Sequence, residues 1–233
     1  MKTVAFIFAR GGSKGIPNKN LHLFGGKPLI VWSIEQALAI KEIDRLIVST
    51  DSEEIKKIAL EYGAEVPFIR PKELSQDNSP EWLAWQHALK YLIEDLNYNP
   101  DIMVSVPTTS PLRSTKDIMR CIDLYKKGDS DIIVTISETD RSPYFNMVHI
   151  DDDKTLRLVS SPLKTIYNRQ NAPEVFNIAT VCYVSSPDFI LNNNSLFDGK
   201  VRAIQVPFER SIDIDNMFDL KFAESILKQL NDE

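Results

Sequence analysis

The sequence contains little of what several common classes of protein require. Only two of its 233 residues are cysteine, and Cys121 and Cys182 lie in apolar surroundings without the spacing of a metal site. Such cysteines usually behave as small hydrophobic residues, so both are interpreted as reduced core residues of a cytoplasmic protein. The three histidines, His22, His87 and His149, are scattered, with no nucleophile beside them. A hydrolase with a Ser/His/Asp triad is therefore not indicated.

Long apolar segments and an excess of positive charge are also missing. No apolar run approaches the roughly 20 residues that span a bilayer, and the N-terminal apolar stretch is too short for the core of a signal peptide. The net charge is -6, whereas nucleic-acid binding depends on a basic face that neutralises phosphates. We therefore expect neither a membrane nor a nucleic acid as the partner. The length suits one large α/β domain.

The most informative stretch is residues 9–20, with the sequence ARGGSKGIPNKN. It follows the apolar run of residues 4–9, whose length and Val, Ile and Phe content are typical of a strand buried on both faces. The loop therefore leaves the carboxyl end of a first strand, where open α/β sheets bind their ligands. Its glycines let backbone N–H groups approach a ligand, and Arg10, Lys14 and Lys19 add positive charge. This combination predicts a phosphate-binding loop, and a glycine turn with solvated lysines is the alternative.

The spacing excludes two better-known phosphate loops. A Walker loop would need a glycine where Ile16 stands, and the dinucleotide fingerprint would need a helix to begin inside the motif, where Pro17 follows Gly15. Over all of residues 9–20, the loop resembles the signature of the CMP-sugar synthetases, the cytidylyltransferases that activate sialic acid and related nonulosonic acids. The resemblance implies an α/β fold of the nucleotide-diphospho-sugar transferase type. Its expected form is a single Rossmann-like, mostly parallel sheet flanked by helices, with residues 1–233 as one nucleotidyltransferase domain.

Hydrophobic patterns along the rest of the chain agree with an α/β fold. They predict a helix from Pro28, a C-terminal helix over residues 217–229, and further strands at residues 45–49, 66–69, 102–106, 131–136, 179–184 and 201–206. A capping box is expected at Ser114 and Asp117. Asp51 is interpreted as a helix cap, because Glu54 completes a second box, and the alternative is that Asp51 reaches a nucleotide.

Residues 137–170 interrupt the alternation of strands and helices. They are polar and show no helical stripe, whereas most connections are only about 4–6 residues long. The aspartates at 151–153 are interpreted as a solvated hairpin turn, because adjacent carboxylates cannot all converge on one metal ion. By resemblance, residues 137–174 form a protruding dimerisation arm that covers the sugar site of a second subunit, which implies a homodimer.

The resemblance assigns the nucleotide contacts to the loop and to one later segment. Arg70, Asp77 and Ser79 match a segment that surrounds the base in the synthetases, while Glu81 stands where a small hydroxyl residue is usual. The expected nucleotide is CTP. The loop residues expected to contact it are Ala9, Arg10, Gly11, Gly12, Ser13, Lys19 and Asn20.

A further set of residues is expected at an acidic α-keto sugar. Arg169 can pair both oxygens of a carboxylate with its planar fork, although its charge fits a surface salt bridge equally well. The synthetases have Arg-Gln at this place, in contact with the sugar acid. Departures from the family pattern at Pro107, Asn146 and residues 179–180 favour a nonulosonic acid other than plain sialic acid. The residues that the resemblance assigns to the sugar are Thr109, Ser110, Arg113, Arg169, Gln170 and Tyr183.

Asp213 and Asp215 alternate along an extended segment, so both carboxylates can face one hard cation. The pair matches the metal motif of the family, and Mg²⁺ is the expected cofactor, while Asp215 can also serve as the cap of the C-terminal helix. Arg10, Lys19 and Asp213 are the expected catalytic residues of a nucleotidyl transfer. The rival hypotheses are a synthetase for the eight-carbon acid Kdo and a nucleotide-binding protein without catalysis, although a metal pair argues against the latter.

Overall fold

The secondary structure is that of a computed structural model, which describes residues 1–160 and 171–232. The strands are β1 (Thr3–Phe8), β2 (Leu23–Phe24), β3 (Lys27–Pro28), β4 (Arg45–Ser49), β5 (Ile102–Ser105), β6 (Ile132–Glu138), β7 (Val148–Ile150), β8 (Leu156–Leu158), β9 (Phe176–Ser185) and β10 (Val201–Gln205). The helices are α1 (Leu29–Leu38), α2 (Glu53–Glu61), α3 (Glu81–Lys90), α4 (Thr115–Tyr125), α5 (Pro187–Asn192) and α6 (Met217–Asp232).

Six strands form the central sheet in the order β10-β6-β9-β5-β1-β4. Neighbouring strands pair in parallel except at β9, which runs antiparallel between β5 and β6. The carboxyl ends of β1, β4, β5 and β6 therefore share one edge of the sheet, the edge at which such sheets bind ligands. The predicted mostly parallel α/β sheet is confirmed.

The first strand shows why the chain folds into layers. Val4 and Phe6 belong to the core cluster that includes α3, whereas Ala5 and Ile7 belong to the cluster that includes α1, α2 and α4. All four side chains are fully buried, as predicted for a strand covered on both faces. Burying an aliphatic or aromatic side chain contributes about 1.5–3 kcal/mol to the free energy of folding. The alternation along β1 therefore fixes which of its side chains face each layer of helices.

A third core cluster joins the glycine-rich loop to the segment before α6. Ile16 is only 1% exposed and packs in one cluster with Ile212, Ile214 and Leu220. This apolar contact brings the two ends of the chain together beside the carboxyl edge of the sheet. Packing of hydrophobic side chains therefore places the loop next to the Asp-x-Asp segment.

Two predicted details are wrong, and one short helix of the structure was not predicted. Residues 66–69 form no strand, because only Glu65 makes a parallel bridge, with Ile47, and Pro67 has no N–H to donate. Asp51 does not cap α2, since the cap is Ser52, whose hydroxyl accepts from the N–H of Ile55. The short helix α5 had no clear periodic signal.

The remaining predicted caps and turns agree with the structure. Ser114 and Asp117 form the capping box of α4. Strands β7 and β8 pair as an antiparallel hairpin, and the aspartates lie in its turn, where Asp151 N–H donates to the carbonyl of Thr155 at 3.0 Å. Within the described ranges, the helices are all too short or too polar to cross a membrane.

Candidate active site

The glycine-rich loop is anchored to the end of the neighbouring strand. The N–H of Ala9 donates to the carbonyl of Ser49 at 3.0 Å, and the N–H of Gly11 donates to Asp51 Oδ1 at 2.8 Å. Asp51 thus holds the loop, a role that differs both from the predicted helix cap and from the alternative of a nucleotide contact. Its position directly after a parallel strand, on the ligand edge, was the signal for this role.

Asn20 ties the loop to the segment that follows β5. Its amide Nδ2 donates to the carbonyl of Arg10 at 2.9 Å, and its Oδ1 accepts from the hydroxyl of Thr108 at 2.6 Å. Asn20 is only 6% exposed. The amide group of Asn20 therefore holds two loops together through both of its polar atoms. Thr108 supports this contact, a role that the sequence did not predict.

A cleft of about 220 Å³ opens beside the loop. Its wall carries three cations and two acids, and one of the cations is the buried Arg70. Burial lowers the pKa of Arg70 to about 10, so the guanidinium stays protonated at neutral pH. Its Nε donates to Ser49 Oγ at 3.1 Å, and a second donor bonds the carbonyl of Ser49. Other expected nucleotide-binding residues that line the cleft are Arg10, Ser13, Lys19, Asn20, Asp77 and Ser79.

Asp77 occupies the mouth of this cleft as a counter-ion. Arg10 pairs with its Oδ1 at 2.5 Å and Lys14 with its Oδ2 at 2.8 Å, and hydrogen bonds from these two cations lower the pKa of the Asp77 carboxyl. Exposed ion pairs contribute little to stability. A polyanionic ligand can therefore replace the carboxylate at little cost.

Lys19 connects the cationic loop to the Asp-x-Asp segment. Its Nζ donates to the carbonyl of Ile214 at 2.8 Å and to Asp215 Oδ1 at 2.9 Å. The side chain of Lys19 is 13% exposed and that of Asp215 is 70% exposed. The arrangement leaves the Asp215 carboxylate open to a ligand on one side of a fixed ammonium group.

Asp213 is the more enclosed of the two carboxylates. Burial, followed by the charge of Asp215, raises the pKa of its carboxyl, and the nearby hydroxyls of Thr109 and Thr180 oppose that rise. Its Oδ1 atom is buried and has no hydrogen-bond partner. A buried carboxylate oxygen without a donor is costly unless something else neutralises it, so the site fits a cation.

The metal prediction rests on this pair alone. Across residues 1–160 and 171–232, histidine, cysteine and acidic side chains form no group of three or more that could hold a metal ion. Two carboxylates are nevertheless sufficient for Mg²⁺, which fills its other positions with water and phosphate oxygens. Asp215 is not used as a helix cap, because Asn216 Oδ1 accepts from the N–H groups of Phe218 and Asp219 at the start of α6.

Two of the residues expected at the sugar, Ser110 and Arg113, are buried. Ser110 is fully buried and its hydroxyl lies 2.8 Å from that of Thr180. Arg113 is 3% exposed and donates to Ser33 Oγ at 2.8 Å and to the carbonyl of Pro107. Both side chains are buried and make contacts within the protein, so a role at the sugar stays a prediction for each of them. Arg169 and Gln170 lie outside the described residues.

The other expected sugar residues lie close to Asp213. Thr109, in the wall of the first cleft, hydrogen-bonds to Thr180, in the wall of a second cleft of about 440 Å³ that also contains Asp213. Tyr183 is half-buried and packs on Trp85, with ring centroids 5.5 Å apart. Burial, then the nearby charge of Glu81, raises the pKa of its phenol. Two clefts that meet at Thr109 and Thr180, the second of them lined by Asp213, can hold two substrates.

Glu81 is the unexpected acid of the first cleft. It lines the wall that contains Arg10 and Lys19, and its Oε1 accepts from the indole N–H of Trp85 at 3.1 Å. The surrounding protein raises the pKa of this carboxyl by desolvation. These contacts do not give Glu81 a defined role in a reaction.

Comparisons with known proteins agree with this geometry. Residues 4–231 match the cytidylyltransferase family. The chain is 34% identical to a pseudaminic acid cytidylyltransferase of Campylobacter jejuni, over 100% of this chain and 99% of the relative. It is 31% identical to a CMP-N,N'-diacetyllegionaminic acid synthase of Campylobacter jejuni, over 97% and 94%.

A solved structure shows the same fold. It is that of a CMP:2-keto-3-deoxy-manno-octonic acid synthetase complexed with CTP, which superposes with a TM-score of 0.72 at 17% identity, over 99% of this chain and 100% of that one. At this identity the likeness concerns the fold alone. The sequence match over nearly the whole chain carries the further conclusion: the protein belongs to the cytidylyltransferase family.

Proposed function

We propose that this protein transfers the cytidylyl group of CTP to a nonulosonic acid and releases pyrophosphate. The single observation that carries the proposal is the position of Lys19, whose ammonium group joins the cationic loop to the Asp215 carboxylate. Cations and carboxylates that lie this close together are suited to a site where an acidic sugar reacts with a phosphate group. They would have no comparable use in a protein that only binds a nucleotide.

The reaction is a displacement at phosphorus. The anomeric hydroxyl oxygen of the sugar attacks the α-phosphorus of CTP, the bond from that phosphorus to the bridging oxygen breaks, and pyrophosphate leaves with the bond electrons. The hydroxyl proton passes to a nearby base. Catalysis of this kind depends mainly on positioning and charge neutralisation.

The residues of the first cleft have defined roles in this proposal. Arg10 and Lys19 neutralise the triphosphate, and the N–H groups of the loop bind its oxygens, since Asp51 and Asn20 hold the loop in shape. Asp213 is the proposed proton acceptor, because its carboxylate lines the second cleft beside Thr180, where that cleft meets the first one at Thr109.

Mg²⁺ is the proposed cofactor. Asp213 and Asp215 would hold it, and the unpartnered, buried Oδ1 of Asp213 supports that assignment. When bound, Mg²⁺ would supply positive charge at the phosphate oxygens.

The sugar is proposed to be a pseudaminic- or legionaminic-type acid. The support is the similarity over the full chain to relatives that carry those names, together with the departures at Pro107 and residues 179–180. A Kdo synthetase remains the second candidate, because a synthetase of that substrate shares the fold.

The proposed assembly is a homodimer formed through the β7–β8 hairpin. A hairpin of two strands is marginally stable alone, and Ile150 and Leu156 are 70% and 62% exposed on it. A second subunit would cover these side chains. The proposed location is the cytoplasm, in line with Cys121 and Cys182, which are free thiols in the core.

One assay tests the function. The protein is incubated with CTP, Mg²⁺ and a panel of nonulosonic acids and Kdo, and pyrophosphate release is followed. Release with a nonulosonic acid supports the proposal, and release with Kdo alone favours the second candidate. Binding of CTP without release for any sugar would identify a protein that has lost catalysis.

A further inference from the structure

Gly15, in the glycine-rich loop, lies directly against the backbone of Asp215. A β-carbon on Gly15 would lie 2.0 Å from the carbonyl oxygen of Asp215 and 3.1 Å from its carbonyl carbon. No heavy-atom contact of a β-carbon is normally shorter than about 3.0 Å. The loop therefore contacts the main chain of the Asp-x-Asp segment at a place where only glycine fits.

Three contacts hold the same two segments together. The backbone contact at Gly15 is flanked by the apolar packing of Ile16 against Ile214 and by the hydrogen bond from Lys19 Nζ to the Ile214 carbonyl at 2.8 Å. From the other side, Asp219 Oδ2 accepts from the N–H of Asp215 at 2.9 Å. The carbonyl that Gly15 approaches thus belongs to a main chain fixed on both sides.

We propose that Gly15 is a positioning residue of the reaction, because its missing side chain sets the distance between the cationic loop and the paired carboxylates. Gly15 needs no unusual backbone angle, so the requirement is for space. Any β-carbon must displace a peptide carbonyl by about 1 Å, and a flexible side chain cannot absorb that movement. Displacements of about 1 Å in an active site can reduce turnover by as much as about 100-fold.

The inference rests on the proposed function, and it predicts a separation of kinetic constants. In Gly15→Ala the loop keeps its own contacts to the triphosphate, so the KM for CTP should stay within about threefold of the wild type. The carboxylates move relative to Lys19, so kcat should fall at least tenfold. A role in stability alone would lower the melting temperature and leave kcat of the folded protein unchanged.

Gly199→Ala is the matched control. A β-carbon there would lie 2.5 Å from Phe189 Cε2 and 2.8 Å from Asp131 Oδ2, so it also creates a clash. Gly199 precedes β10, at the opposite edge of the sheet from the site. We expect this variant to lose stability and to keep kcat. A kcat for Gly15→Ala within twofold of the wild type would overturn the inference.

Two further measurements decide the matter in the remaining cases. If Gly15→Ala does not fold, Asp219→Ala releases the N–H groups of Asp215 and Asn216 without adding an atom. It should lower kcat at least threefold with the KM for CTP unchanged, and an unchanged kcat contradicts the inference. Amide hydrogen exchange around Asp215 should increase in Gly15→Ala and not in Gly199→Ala. Equal amide exchange in Gly15→Ala and Gly199→Ala refutes the inference. Absence of pyrophosphate release by the wild type would reject the proposed function, and the exchange experiment would still test the role of Gly15.

Discussion

Lys19 and Asp215 are 196 positions apart in the chain, and their side chains meet at 2.9 Å. The ammonium group also bonds the carbonyl of Ile214, so its position is fixed before any ligand binds. A cation held in place in this way does not need to reorganise when charge develops on a phosphate, which is the usual origin of electrostatic catalysis.

The first prediction concerns the proposed catalytic residues. Lys19→Ala and Asp213→Asn should each reduce kcat by at least about 100-fold, because each removes a fixed charge from the reacting centre. Circular dichroism and thermal melting should show a retained fold. Lys200→Ala is the control, since that side chain is 60% exposed and pairs with Asp129 away from the site, and it should change kcat by less than about threefold. Undiminished pyrophosphate release in either main variant would refute the site assignment.

The second prediction tests Asp51 as the anchor of the loop. Asp51→Ala removes the acceptor for the N–H of Gly11, so the loop loosens and the KM for CTP should rise about fivefold or more. Asp51→Asn keeps an acceptor oxygen and should remain closer to the wild type. Ser52→Ala removes the cap of α2 and should cost about 1 kcal/mol of stability with an unchanged KM. If Asp51→Ala behaved like Ser52→Ala, the helix-cap interpretation would be the better one.

The third prediction follows from the raised pKa of Asp213. Because its folded-state pKa lies above the unfolded value of about 3.9, the ionised group costs stability, and that cost appears as the pH rises through the folded pKa. At pH 8 the free energy of unfolding of Asp213→Asn should therefore exceed that of the wild type by about 0.5–2 kcal/mol, and the difference should vanish below about pH 4. Thermal melts across this range, without divalent cations, provide the measurement. A gain that increased toward acid pH would contradict the burial of the charge.

The fourth prediction separates a structural from a sugar-binding role for Arg113. Arg113→Met leaves Ser33 and the Pro107 carbonyl without their charged donor, so the free energy of unfolding should fall by about 1.5–3 kcal/mol. The KM for the sugar, measured on the folded protein, should be unchanged. A large rise in this KM with unchanged stability would support the sugar assignment.

The fifth prediction concerns the proposed dimer. Ile150→Asp combined with Leu156→Asp places two charges on the exposed hairpin, so gel filtration should show a shift from dimer to monomer. Leu23→Asp changes another side chain that is 60% exposed, away from the hairpin, and should leave the elution volume unchanged. A wild type that elutes as a monomer would reject the dimer directly.

Several elements were predictable because their signals are local. The alternation of buried residues in β1, the capping box at Ser114 and the hairpin turn at residues 151–153 each depend on a few neighbouring side chains. The strand predicted at residues 66–69 failed because apolar content cannot compensate for the N–H that Pro67 lacks. Sequence patterns also gave no direction for β9, since strand direction is decided by pairing partners far away in the chain.

By itself, the sequence determined the α/β class and the cationic, glycine-rich character of the loop at residues 9–20, because hydrophobic periodicity and residue types are local properties. Only the tertiary structure decided which side chains meet. In the structure, Arg113 and Ser110 make hydrogen bonds in the protein interior, and Asp51 accepts a hydrogen bond from the glycine-rich loop. Gly15 lies against the backbone of Asp215. The physical reason is that burial, desolvation and close contact arise between segments that packing brings together, and no local pattern encodes those distances.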